Sequence, residues 1–169
     1  HRQRRPCGQI DAAQKEAAAD MSEAAGNLRS EAGGLGEGEV NADGYSASEL
    51  NSMADTLDAG AKALNDDGSG GYFAHAGGSS DTGGNFAVAE VGGTSMTVDV
   101  GNAAFQDHSS VRWMAGHESL HNAGLYDQKG PVGTAYRYSP EPLDRMTFKR
   151  LRKSKRFKNP DHVMSQVYP

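Results

Sequence analysis

The sequence predicts an α+β domain: a helical N-terminal region, a small and mostly antiparallel sheet, and one later helix that carries the chemistry. Three observations predict it. Residues 11–31 and 47–65 have helix-forming composition, and Leu50, Met53, Leu57 and Leu64 form an apolar stripe at helical spacing. Residues 86–101, FAVAEVGGTSMTVDVG, read as two short strands about a Gly-Gly turn, with Met96, Val98 and Val100 alternating as in a half-buried strand. Residues 109–123, SSVRWMAGHESLHNA, set Val111, Trp113, Met114, Leu120 and two histidines broadly on one side of a helix.

Each element has a local cause. In the first helix Asp11 and Gln14 read as a capping box. Its apolar face is mostly alanine, so weak packing is expected. Residues 32–44, AGGLGEGEVNADG, break it. Ser46 and Glu49 form a capping box for the second helix, with Tyr45 and Leu50 placed as a hydrophobic staple. Residues 66–85 read as one long Gly/Ser-rich loop. After Pro131 the chain is irregular, with a short helix expected within 141–155. No internal repeat is visible.

A chain of 169 residues suffices for one domain with a core. It is Gly- and Ala-rich with few aromatics, so the core should be modest, and a bound metal could add stability. Cys7 is the single cysteine, which excludes an internal disulfide but not export. No apolar run approaches the length of a membrane span. The net charge is −5, unevenly placed: residues 145–169 carry eight Lys/Arg against one Asp. The remaining, strongly acidic body argues against a general nucleic-acid binder. The chain begins at His1, which suggests a fragment or processed product of a longer protein.

The chemistry concentrates in residues 116–127, GHESLHNAGLYD. Positions i and i+4 of a helix share a face, so His117 and His121 can aim their imidazoles at one ion. Two neutral imidazoles suit Zn²⁺. Glu118 lies beside the first ligand and can act as base toward an activated water. A catalytic zinc needs a third protein ligand and an open position. Gly124 can end the helix in the left-handed conformation, after which Asp127 can return to the ion. His162 and His108 are the alternative third ligands.

HESLHNAGLYD resembles the extended H-E-x-x-H-x-x-G-x-x-H/D motif of metzincin metallopeptidases, in the form where aspartate is the third ligand. The resemblance implies a zincin-like domain over 86–169, with one zinc on His117, His121 and Asp127, and Glu118 as the catalytic base. It implies a methionine turn beneath the metal, for which Met164 in NPDHVMSQVYP is the candidate and Met146 the weaker one. It implies an edge strand, within FAVAEVGG or TSMTVDVG, that takes an extended peptide by strand addition. Some members carry a tyrosine two residues after the turn methionine. Here that position is Gln166, and Tyr168, Tyr136 and Tyr138 remain open as oxyanion donors, with Tyr168 the nearest in sequence. Residues 1–85 match nothing in that pattern and would be a propeptide or part of the domain.

The implied activity is that of a zinc metalloendopeptidase. The expected setting is a C-terminal toxin or effector domain of a larger bacterial protein, exported from the cell, with protein or peptide substrate and an immunity or inhibitor protein as partners. A secreted degradative protease, and a non-catalytic metal-stabilised binding module, are the alternatives. Three weaker signals remain. RRPCGQ resembles the cysteine-switch segment of some metzincin propeptides, although a free Cys7 thiol is the default. EVNADGYSASEL resembles an EF-hand loop, but Leu50 stands where the bidentate glutamate belongs, so Ca²⁺ is not the favoured reading. KRLRKSKRFK, residues 149–158, is most simply a solvated face, and could otherwise touch nucleic acid, anionic lipid or an acidic partner.

Overall fold

A computed structural model of the chain describes residues 6–65 and 73–169. The side chains of Pro6, Cys7 and residues 73–76 fall outside the described residues, so the expectation for Cys7 does too. The order is α1 (Pro6–Gly33), α2 (Ala47–Leu64), β1 (Phe73–Gly77), β2 (Ala87–Ala89), β3 (Ser95–Asp99), α3 (His108–Asn122), α4 (Pro142–Arg150), α5 (Lys153–Arg156) and α6 (Pro160–Met164). A single 3-10 turn, Ala103–Gln106, precedes α3. The α+β class is as expected.

The second helix obeys its local signals closely. Ser46 Oγ accepts from the Glu49 amide and Glu49 Oε1 accepts from the Ser46 amide, closing the capping box. Tyr45 and Leu50 are both buried, as are the other members of the stripe, Met53, Leu57 and Leu64. The first helix differs from expectation. It starts five residues earlier, so Asp11 lies inside it and pairs with Lys15 at 3.1 Å instead of capping. Its alanine face packs closely: Ala13, Ala17, Ala18 and Ala25 are fully buried beside Met21. Small side chains let α1 lie close against α2.

The sheet has three strands in the order β1-β3-β2. The hairpin-like pair is antiparallel, Ala87 opposite Val98 and Ala89 opposite Met96. β1 was not foreseen. It lies in the segment read as loop, and it pairs parallel to β3, so the sheet is mixed rather than mostly antiparallel. A five-residue strand, FAHAG, that runs out into Gly77 and Gly78 has no apolar-polar pattern strong enough to mark it; its partner supplies the order. β2 is left as an edge.

One hydrophobic cluster runs from Ile10 to Met164 and includes α1, α2, the sheet, α3 and α6. The N-terminal region is therefore built into the same core as residues 86–169. Helix α3 approaches its neighbours at glycines. A Cβ on Gly60 of α2 would stand 2.8 Å from Ser119 Oγ, and one on Gly116 would stand 2.9 Å from Met164 Sδ. The expected single C-terminal helix is instead two, α4 and α5, broken at Leu151, whose ψ is 136°. No described helix is long and apolar enough to cross a membrane.

Candidate metal centre

Helix α3 presents His117 and His121 one turn apart, and their Nε2 atoms face each other at 3.2 Å. The helix ends as a Schellman motif: the Gly124 amide donates to His121 O and the Leu125 amide to Leu120 O. Gly124 has φ 106°, a conformation that glycine adopts without strain. The reversal has two consequences. Leu125 O comes to 2.9 Å from His121 Nδ1, and Asp127 Oδ1 comes to 3.3 Å from His121 Nε2 and 3.7 Å from His117 Nε2. His117, His121 and Asp127 are thus a group that could hold a metal ion.

The outer atoms set the inner ones. A carbonyl only accepts, so His121 Nδ1 carries its proton toward Leu125 O and Nε2 keeps its lone pair for the site. His117 Nδ1 stands 2.6 Å from Asp161 Oδ1, a carboxylate that is 1% exposed. Asp161 Oδ2 in turn accepts from the Arg137 amide at 2.6 Å. The Tyr136 hydroxyl donates to Asp127 Oδ2 at 2.7 Å, which leaves Oδ1 to face the histidines. Trp113 stacks on His117 with ring centroids 5.1 Å apart and closes that flank.

Burial would lower the pKa of His117, but Asp161, with Glu118 and Asp127, outweighs it and raises it to about 9. Burial opposes His121 likewise, and Asp127 raises it. Asp127 is held below the usual carboxylate range, since its histidine neighbours and Tyr136 overcome desolvation. Burial pushes Glu118 up. Without an ion, then, the site holds extra protons that a cation would displace. Among the described residues, three carboxylate oxygens, Glu118 Oε2, Asp127 Oδ1 and Asp161 Oδ1, are buried without an aligned hydrogen bond, the last despite its close contact with His117 Nδ1. Leaving a buried carboxylate oxygen unpartnered costs free energy, so each such atom calls for an explanation, and a cation is one.

The other expected residues fall as follows. Met164 is fully buried beneath Gly116, the residue before His117, but it ends the short helix α6 instead of lying in an irregular turn. Tyr168 lines the same cleft, but its hydroxyl donates to Asp20 Oδ2 on α1 at 2.6 Å, and Tyr136 is the tyrosine that meets Asp127. Tyr138 is exposed and packs edge-on against Trp113. His162 stacks on Phe148 and receives Asn159 Nδ2, and His108 contacts Glu16 at 2.6 Å; neither joins the cluster. Met146 is half-buried in α4. In the calcium-like loop, Asn41 Oδ1 accepts from the Asp43 and Tyr45 amides, which makes it a turn brace rather than a ligand.

Sequence reasoning missed Asp161 and Asn159. Asn159 is 1% exposed; its amide donates to Ala135 O and its oxygen accepts from the Gln128 amide, tying the loop after Asp127 to α6. The local signal was present in NPDH, an asparagine and proline opening a helix, but nothing local says which histidine the aspartate meets.

The cluster lies in a cleft of about 1250 Å³ whose walls include β2, Trp113, Tyr126 and Tyr138. No family model matches the chain, and neither a curated protein nor a solved structure matches it.

Proposed function

We propose that this chain is a zinc-dependent endopeptidase. The observation that carries the reading is Glu118: a buried carboxylate one residue after a histidine ligand, lining the same cleft, with an oxygen that no protein group satisfies. A purely structural metal site has no use for such a group. A proton carrier does, and a pKa raised by burial moves it toward the working range of a base.

The donor set supports zinc. Two imidazoles and a carboxylate are preferred by Zn²⁺ and poorly suited to Ca²⁺. A tetrahedral ion with bonds of 2.0–2.1 Å separates its ligand atoms by about 3.3 Å. The three separations here are 3.2, 3.3 and 3.7 Å. When bound, the ion would acidify a water and polarise a substrate carbonyl. The chain's own groups do the rest. Asp161 and Leu125 O hold the histidines in the tautomer that offers Nε2. Glu118 takes the proton of the attacking water on its carboxylate and returns it to the leaving amine. Among the described strands β2 is the edge along the cleft, where an extended peptide can pair by backbone hydrogen bonds.

The test begins with metal analysis of protein purified without chelator, wild type beside His121→Ala. One zinc per chain, lost in the variant, is expected. Peptide mixtures are then incubated with wild type and Glu118→Gln, and new termini are sought. Stoichiometric zinc without cleavage by any preparation would leave a non-catalytic metal-stabilised module. We further propose that the domain acts as a toxin or effector exported from a bacterial cell, restrained at home by an immunity protein. Expression should then slow growth, and Glu118→Ala should relieve it.

A further inference from the structure

Behind the metal centre lies a second cavity, of about 760 Å³. It stands on the far side of α6: Asp161 faces His117, while the next residue, His162, lines this cavity. Four cations line it: Arg137 from the loop before α4, Lys149 from α4, and Lys153 and Arg156 from α5. Asp43 is the one carboxylate side chain in the lining. Among the described residues none of the four cations forms an ion pair within 4.0 Å.

This organisation changes the meaning of the basic run. A solvated face would spread its charges outward. Here Lys149, Lys153 and Arg156 turn into one concavity, while Arg150, Arg152, Lys155 and Lys158 do not line it. Arg156 is held in place, its Nε donating to Leu151 O at 2.7 Å. Arg137 is anchored too, donating through its guanidinium to Tyr168 O at 2.8 Å. Two braced guanidinium groups and two ammonium groups on flexible stems suit phosphate oxygens, for which arginine offers a planar fork and lysine a point charge. Burial lowers the pKa of His162 to about 4, with Arg156 and Arg137 adding to it and Asp161 opposing them. A cavity of this volume fits a small molecule rather than a protein surface.

We propose that this cavity binds a small anion bearing two or more phosphate groups. The proposal does not depend on the metal reading, because no residue lines both sites.

The test is a titration of the full chain with sodium pyrophosphate at constant ionic strength, followed by backbone amide NMR. Saturable shifts at residues 40–45 and 153–166 are expected. The Lys149→Gln/Lys153→Gln variant should bind about tenfold or more weakly. The Lys155→Gln/Lys158→Gln variant, with equal charge loss outside the cavity, should bind as wild type. Both pairs are exposed, so folding is retained. Equal weakening in both variants would mean diffuse charge attraction and overturn the site. So would shifts confined to residues 117–127, which would report pyrophosphate at the metal centre, or no saturable shift. A parallel sedimentation with vesicles containing a bisphosphorylated inositol lipid, against phosphatidylserine vesicles of matched charge, separates a membrane source from a soluble one.

Discussion

Helix α3 is held on its two sides by different means. Toward the N-terminal helices its middle meets an apolar surface, with Met21 and Leu57 fully buried and a close approach at Gly60, and only its first turns reach carboxylates, His108 and Arg112 beside Glu16 and Asp20. Toward the tail it meets Met164, but also Asp161, whose Oδ2 accepts from the Arg137 amide, and behind them Asn159, which bonds Ala135 O and the Gln128 amide. The first side supplies non-directional burial, which tolerates small shifts. The second supplies directed contacts, which fix where an imidazole points. His117 and His121 sit on the border, and the comparison teaches that stability and site geometry can be perturbed separately.

The largest separation is expected from Leu57→Ala, on the apolar side. Removing a fully buried leucine should cost about 2–5 kcal/mol in denaturant unfolding. Metal affinity of the folded fraction should be unchanged. A large loss of affinity at equal folding would dissolve the distinction between the two sides.

Next comes acid. His162, on the polar side, has its pKa depressed from 6.5 to about 4. As pH falls below about 6.5 the unfolded chain takes up this proton first, and the native state resists until about 4. Its contribution to stability, on the order of 3 kcal/mol, is thus present above that window and lost across it. His117 does not offset this, because below 6.5 it is protonated in both states. Chemical unfolding between pH 7 and 4 should show a steeper acid limb in wild type than in His162→Gln. Parallel limbs would show that His162 is not the group responsible.

Asp161→Asn should lower metal affinity by about 10–100-fold, measured by competition with a chromophoric chelator. Its cost in stability should be smaller than that of Leu57→Ala. An unchanged affinity would mean that Asp161 only anchors Arg137. The smallest effect sharpens the apolar side: Ser46→Ala should remove about 1 kcal/mol through the cap, and leave metal binding alone.

Legibility follows the same divide. α2 was readable to within a residue at its end, because its cap, staple and stripe all lie within 20 residues of sequence. The histidine pair, Gly124 and Asp127 were readable for the same reason: helix period and helix termination are local rules. β1 was not, since its order comes from a partner 22 residues later, Phe73 opposite Ser95. Asp161 was not, although its neighbours in sequence suggested a helix start. The Tyr168 contact was not legible either, because nearness in sequence to Met164 does not say that its hydroxyl will reach Asp20 on α1.

By itself the sequence determined the three long helices, the antiparallel strand pair and the spacing of His117, His121 and Asp127, all of which arise from interactions within a few residues. Only the tertiary structure decided which carboxylate orients His117, which tyrosine meets Asp127, and that part of a basic run lines a cavity. Those outcomes depend on the packing of segments up to 148 residues apart, as with Tyr168 and Asp20. Local propensity carries no information about them, because the free energy of a directed contact depends on where both partners are held.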